Sequence, residues 1–195
     1  MKKDYQFLIQ KLNTFIKEYY KNLIIRGIVY CIILTISALL AFSLIEHFGF
    51  FNTMVRAVFF WAYCAFSCVI AFWFIITPGI KMLSAKEGLT HKEAAQIIGK
   101  HFPSVSDKLT NILELKSISE GNQSIIEASI NQKISKTKPL HFNHAIDWGK
   151  TTYYAKFILI PVSIVVLIML SGNSRVLSES THRIINYNTK FEKPA

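Results

Sequence analysis

"LIIRGIVYCIILTISALLAFSLI", Leu23 to Ile45, carries a single charge, Arg26, one turn from its start. The hydrocarbon core of a bilayer needs about 20 apolar residues, with ~17 as the lower limit. Inside lipid the backbone must satisfy its own N–H and C=O groups, which a helix does along a single segment. This stretch therefore predicts a membrane-spanning helix, and two more runs follow it. Val55 to Thr77 has one charge, Arg56, at its edge. Ala155 to Gly172 has only Lys156, also at its edge, and Tyr153 and Tyr154 extend it into the interface. At 51% hydrophobic and a mean hydropathy of +0.32, the chain is too apolar for an ordinary soluble domain. The expected class is an all-α membrane protein with three transmembrane helices, an N-terminal amphipathic interfacial helix and a small cytoplasmic three-helix insert.

Charge sets the expected orientation. Of the 22 Lys and Arg residues, six lie in 1–26, one in 46–56, eleven in 79–156 and four in 172–195. With the N-terminus in the cytoplasm the inner segments carry 17 and the outer ones 5, the arrangement the positive-inside rule prefers. Three spans then place the C-terminus in the periplasm and the chain in a bacterial inner membrane. Residues 1–22 are charged throughout, and the apolar run after them is too long for a signal-peptide core, so the first span is read as retained. The net charge of +10 reads as a leaflet and topology signal. Its dispersed lysines form no compact Arg-rich patch of the kind that nucleic acid requires. Cys31, Cys64 and Cys68 fall inside the apolar runs and read as small packing residues.

The chain divides accordingly. Residues 1–22 place Tyr5, Leu8, Leu12, Phe15, Ile16 and Tyr19 on one helical stripe, which reads as an amphipathic helix on the cytoplasmic surface. The alternative, packing against the insert, is less favoured by its Lys and Tyr content. Residues 23–46 are the first span, 47–54 a periplasmic turn and 55–78 the second span, ended by Pro78-Gly79. Residues 79–154 are the cytoplasmic insert, 153–172 the third span, and 173–195 a periplasmic segment, helical to about Ile185, that begins a longer exported region. In the hairpin, Glu46 and Arg56 lie near one level, and a charge close to lipid must snorkel or pair. Small residues at helical spacing (Gly27, Cys31, Ala38 and Ala41; Ala57, Cys64, Cys68 and Ala71) predict a close seam, with Phe60 and Phe74 away from it.

Three helix-start signals punctuate the insert: Thr90 to Glu93, Ser104 to Asp107 after Pro103, and Ser124 to Glu127. They predict helices over 91–101, 105–117 and 124–137. Asp107 would then sit in a first turn, facing the positive end of the helix. Each helix is apolar on one side only and needs a partner to pack on. Trp148, with Tyr153, Tyr154, Lys150 and Lys156, reads as an interfacial anchor.

No catalytic, cofactor-binding or metal-binding set is recognisable, and the chain reads as no enzyme. "EAAQIIG", Glu93 to Gly99, matches the start of an ABC-importer coupling motif, but Pro103 arrives four residues after Gly99 and no I-x-L-P follows. "GKTT", Gly149 to Thr152, has His144 where a P-loop needs glycine. His141 and His144 stand three apart with only Asp147 nearby, short of a metal-ligand set. No deep charge marks an ion path.

The segment E-A-A-x-x-I-G-x-H-F-P-x-V-x-D-K-L-x-N, Glu93 to Asn111, resembles a stretch recurring in a family of large, uncharacterised membrane proteins of Bacteroidota that carry a domain of unknown function. That resemblance implies an N-terminal hairpin, a cytoplasmic helical insert, a third span and a long periplasmic region, of which this chain would be the anchor portion. The expected role is an inner-membrane anchor or scaffold of a larger envelope protein or complex. Its partners would be the bilayer and other membrane or envelope proteins, in a hetero-complex or homo-oligomer, with no small-molecule substrate evident. The alternatives are a transport or secretion subunit whose insert couples to a motor ATPase, and a sensor or enzyme whose catalytic part lies beyond Ala195. The residues singled out for structure or interaction are Glu46, Arg56, Glu93, Gly99, Pro103, Asp107, Asn111 and Trp148.

Overall fold

A computed structural model describes residues 2–84, 88–118, 142–172 and 174–191. All regular structure among them is helical. Helix α1 runs unbroken from Lys2 to Gly49. It contains no proline, and Gly27 is its only glycine before the last residue, so nothing in its interior breaks the hydrogen-bond ladder. The expected boundary near residue 22 is therefore no break in the backbone. Phe50, Phe51 and Asn52 make the turn, and Asn52 caps the next helix by accepting from Val55 N at 3.0 Å. Helix α2 (Thr53–Ala71) passes through a π-helical turn, Phe72–Ile76, into α3 (Thr77–Leu83). The insert holds α4 (His91–His101), α5 (Pro103–Ile118) and a 3-10 turn, Phe142–Ala145. Helix α6 (Trp148–Ala155) continues through a 3-10 turn, Lys156–Ile158, into α7 (Leu159–Leu170), and α8 (Ser174–Ile185) follows. Three of these paths are long and apolar enough to cross a membrane: Tyr5–Gly49, Thr53–Leu83 and Trp148–Leu170.

Pro78 does not end the second path. A proline inside a helix withholds an N–H from the carbonyl four residues back, here Phe74. The chain absorbs this with the wider π turn just before it, where Thr77 donates both its N–H and its hydroxyl to Phe72 O. Pro161 acts similarly on Phe157, and the 3-10 turn Lys156–Ile158 lies beside it. Gly172, at φ 74°, follows α7 in the left-handed conformation common after helix ends.

The residues form two compact units, one of Met1–Leu23 with Pro78–Trp148 and one of Ile24–Thr77 with Gly149–Ala195. In the first, Leu8, Leu12 and Phe15 are fully buried with Ala94, Ala95, Ile98, Val105, Leu109, Ile112, Phe142 and Ile146. The stripe therefore packs on the insert, the alternative weighed beside a helix lying on a lipid surface. The same stripe is closed over by α4 and α5, because those one-sided helices bury their apolar faces only by sharing a core with it. Polar contacts fix the register. Tyr20 Oη accepts from Leu89 N at 2.9 Å, and Asn13 Oδ1 lies 2.8 Å from His91 Nε2. The third expected insert helix, 124–137, lies outside the described residues.

In the second unit the small-residue seam is only partly present. Ala41 and Cys68 are exposed. The two spans meet instead through rings: Phe42 stacks on Phe59 at 5.4 Å and meets Tyr63 at 6.5 Å, and Tyr30 meets Phe74 edge-on at 5.3 Å. Gly27 marks a close approach, where an added Cβ would overlap the carbonyl of Phe74. Phe74 thus belongs to the crossing, contrary to expectation.

Candidate functional site

At the closed end of the hairpin, Glu46 lies in the last turn of α1 and Arg56 in the first turn of α2. Glu46 is 0% and Arg56 3% exposed, and Arg56 Nε donates to Glu46 Oε1 at 2.8 Å. A carboxylate and a guanidinium carry opposite full charges, and burial leaves each dependent on the other. Helix α8 covers the pair. Thr181 Oγ1 lies 3.0 Å from Ser43 Oγ, and the Phe191 ring lies 5.2 Å from the Arg56 guanidinium carbon. Arg183, also buried, lies 4.6 Å over the Phe50 ring and pairs with Glu179 at 3.6 Å. These faces attract cations through the ring quadrupole. Glu46 Oε2 and Ser180 Oγ are buried without a hydrogen-bond partner among the described residues.

Phe50 explains part of this geometry. It has φ 41°, a strained value for a bulky residue. Its ring under Arg183 and its N–H to Glu46 O at 3.0 Å hold it there. The sequence reading missed Arg183, Phe50 and Phe191. A signal was available for Arg183: it shares one face of α8 with the apolar Val176 and Ile184, and Glu179 stands four residues before it.

The insert residues are placed as packing and capping groups. Thr90 and Glu93 form a reciprocal capping box, with Glu93 Oε2 accepting from Thr90 N at 2.8 Å and Thr90 Oγ1 accepting from Glu93 N at 3.2 Å. The Thr90 backbone N–H, and then its hydroxyl, hold the Glu93 carboxyl below the usual carboxylate range. Gly99 is buried where α4 crosses α5, and a Cβ there would stand 2.8 Å from Ser106 Cβ and 2.9 Å from Ser106 Cα. Phe102 breaks the chain between the two helices at φ −120° and ψ 80°. A residue before proline is pushed out of the helical region, and proline suits the first helical position. Helix α5 therefore starts at Pro103, earlier than expected. Its first turn carries no acidic residue, and Asp107 is an exposed second-turn residue rather than a cap. Asn111 is exposed on the same helix, and Trp148 is exposed at the start of α6.

The remaining motifs fall as follows. "GKTT" is helical, with Thr151 buried and its hydroxyl accepting from Arg26 Nε at 3.4 Å. His144 is exposed beside Phe7, Lys11 and Phe142, while His141 lies outside the described residues. Among the described residues no three His, Cys, Asp or Glu side chains come together as a metal set. Comparison with protein-family models, curated proteins and solved structures finds no match.

Proposed function

We propose that the chain is the inner-membrane anchor of a larger bacterial envelope protein or complex, with the first unit serving as a cytoplasmic docking body. The observation that carries this reading is the shared core of that unit. The residues before the first span and those between the second and third spans fold together, through Leu8, Leu12 and Phe15 against α4 and α5. An insert with its own core is a rigid surface for a partner, unlike a simple connecting loop. The 17-to-5 partition of cations supports placing this body in the cytoplasm. The resemblance of Glu93–Asn111 to large Bacteroidota membrane proteins supports the anchor role.

A motor-coupling role would present Glu93 and Gly99 to an ATPase. Glu93 is spent on the cap and Gly99 on the α4–α5 crossing, which favours the scaffold. The test is affinity purification in mild detergent together with limited proteolysis of residues 90–138 in membranes. Under the scaffold reading, Gly99→Leu loses protease resistance and partners together. A variant such as Glu93→Ala that stays resistant yet sheds a copurifying ATPase would refute the scaffold and restore the coupling reading.

A further inference from the structure

The closed end of the hairpin is apolar on its outside. Phe48, in the last turn of α1, is 82% exposed, and Met54, in the first turn of α2, is 79% exposed. Leu170, the last residue of α7, is 79% exposed. Each of the three apolar paths thus presents a nearly bare apolar side chain where it ends or begins beside α8. Between Glu46 and Arg56 the chain has no Asp, Glu, Lys or Arg. Those two charges are themselves buried and joined at 2.8 Å. The turn therefore shows the surroundings apolar surface and no exposed full charge. The opposite side of α8 differs: Ser178, Glu179 and His182 are exposed there and polar.

Helix length sets the depth of this end. Helix α1 is unbroken, and the charge preceding Glu46 on it is Arg26, 20 positions earlier. At about 1.5 Å per residue the two stand about 30 Å apart, the thickness of the hydrocarbon core. With Arg26 at one boundary of that core, Glu46 reaches the other, and any tilt of α1 leaves it deeper. Phe48 and Met54 each lie two positions past the pair, about 3 Å further along the helix. The headgroup layer on each side is roughly 5–7 Å thick. We infer that the turn is seated in this layer, with Phe48, Met54 and Leu170 against lipid, and does not stand in water as a loop. Exposed Ile45 and Val58 carry the apolar surface of the spans up to it without a break. Charges at this depth are tolerated when paired, which Glu46 and Arg56 are. The inference depends on the helices crossing a membrane and is independent of the scaffold role.

The test is electron paramagnetic resonance of the full chain in phosphatidylglycerol–phosphatidylcholine vesicles. Cys31, Cys64 and Cys68 are replaced by Ala, and a nitroxide is attached through Phe48→Cys, Met54→Cys, Val58→Cys or Ser178→Cys in turn. Oxygen concentrates in lipid; a nickel chelate, present on both sides of the membrane, stays in water. Labels at 48 and 54 should meet oxygen several-fold more often than nickel, as the label at 58 does, and the label at 178 should reverse the preference. Nickel access at 48 and 54 equal to that at 178 would put the turn in water. Little access of either reagent at 48 and 54 would put it under protein, a second copy or a further segment. Either result overturns the inference, and nickel access at 58 as well would reject the membrane crossing itself. A second measurement keeps the native cysteines. Oxidation of Met54 by an anionic, water-borne oxidant should run several-fold slower in vesicles than that of a methionine introduced by Ser178→Met, since attack follows exposure. Equal rates would overturn the inference too.

Discussion

Gly27 meets the second membrane path at the carbonyl of Phe74, the group that Pro78 leaves without its usual i+4 donor. Close approach of a Cα to a carbonyl gives a weak but recurrent C–H···O contact between helices. Gly27→Ala should destabilise the hairpin by about 1–3 kcal/mol through overpacking, read as a lower denaturation midpoint in detergent. Ala41→Leu on the exposed side should leave the midpoint in place, and equal effects of the two changes would remove this contact from the account. Gly99 is the corresponding close approach in the insert, against Ser106. Asp107, exposed in the second turn of α5, gives the opposite expectation. Asp107→Ala should fall within about ±0.5 kcal/mol, as for a surface site without a special contact; a loss of 1 kcal/mol or more would return it to a capping role. At the hairpin end, Glu46→Ala or Arg56→Ala should each cost about 3–5 kcal/mol by stranding the other charge. Replacing both, as Glu46→Leu with Arg56→Met, should recover most of that loss. Additive single costs would show the two groups to be uncoupled.

Among the helices, α4 depends most plainly on a titratable group. Glu93 closes the Thr90 capping box, and its carboxyl ionises below the usual carboxylate range. A group whose folded value is depressed contributes stability above its unfolded value and loses it as pH falls through the folded one. The start of α4 should therefore be fully protected at neutral pH and fray on acidification through and below the ordinary glutamate range. Hydrogen exchange at the first-turn amides of α4 measures this. Glu93→Gln, which keeps an acceptor without the charge, should flatten the pH response. A mutant that frays in parallel with wild type would assign the acid sensitivity elsewhere. The exposed Lys92–Glu114 pair at 2.8 Å should contribute little, as solvated pairs do.

At the scale of the whole molecule, three apolar paths alternate with polar segments, and α8, after the third, packs on α2 and α7 near the hairpin end. Two of these paths, the second and third, lie between the hairpin end and α8, and an even number of crossings brings the two regions to one side. With the N-terminus in the cytoplasm, a reporter fused after Ala195 should be active only in a periplasm-dependent form, and one inserted near residue 121 only in a cytoplasm-dependent form. The reverse pattern would turn the molecule over and move the docking body outside.

The spans were legible in the sequence because lipid tolerates so few alternatives. About 20 uncharged apolar residues with no water to bond have to be helical, and Leu23–Ile45 states that locally. The Thr90–Glu93 cap was legible for the same reason: its bonds close within four residues. Phe102-Pro103 carried the break between α4 and α5, although the Ser104 signal placed the start of α5 a little late. What the stripe Leu8, Leu12, Phe15 packs on was not legible, since an apolar face looks alike whether it meets lipid or protein. Only the folded chain brings Ile98, Leu109 and Ile112 to it across some eighty residues or more. The Glu46–Arg56 pair could be drawn from the hairpin, ten residues apart, but its cover of Arg183 and Phe191 depends on where α8 returns after a third crossing. The role of Gly27 likewise depended on a π turn that Pro78 imposes on a different helix. Local bonding was written in the local sequence; which face meets which was decided by long-range packing.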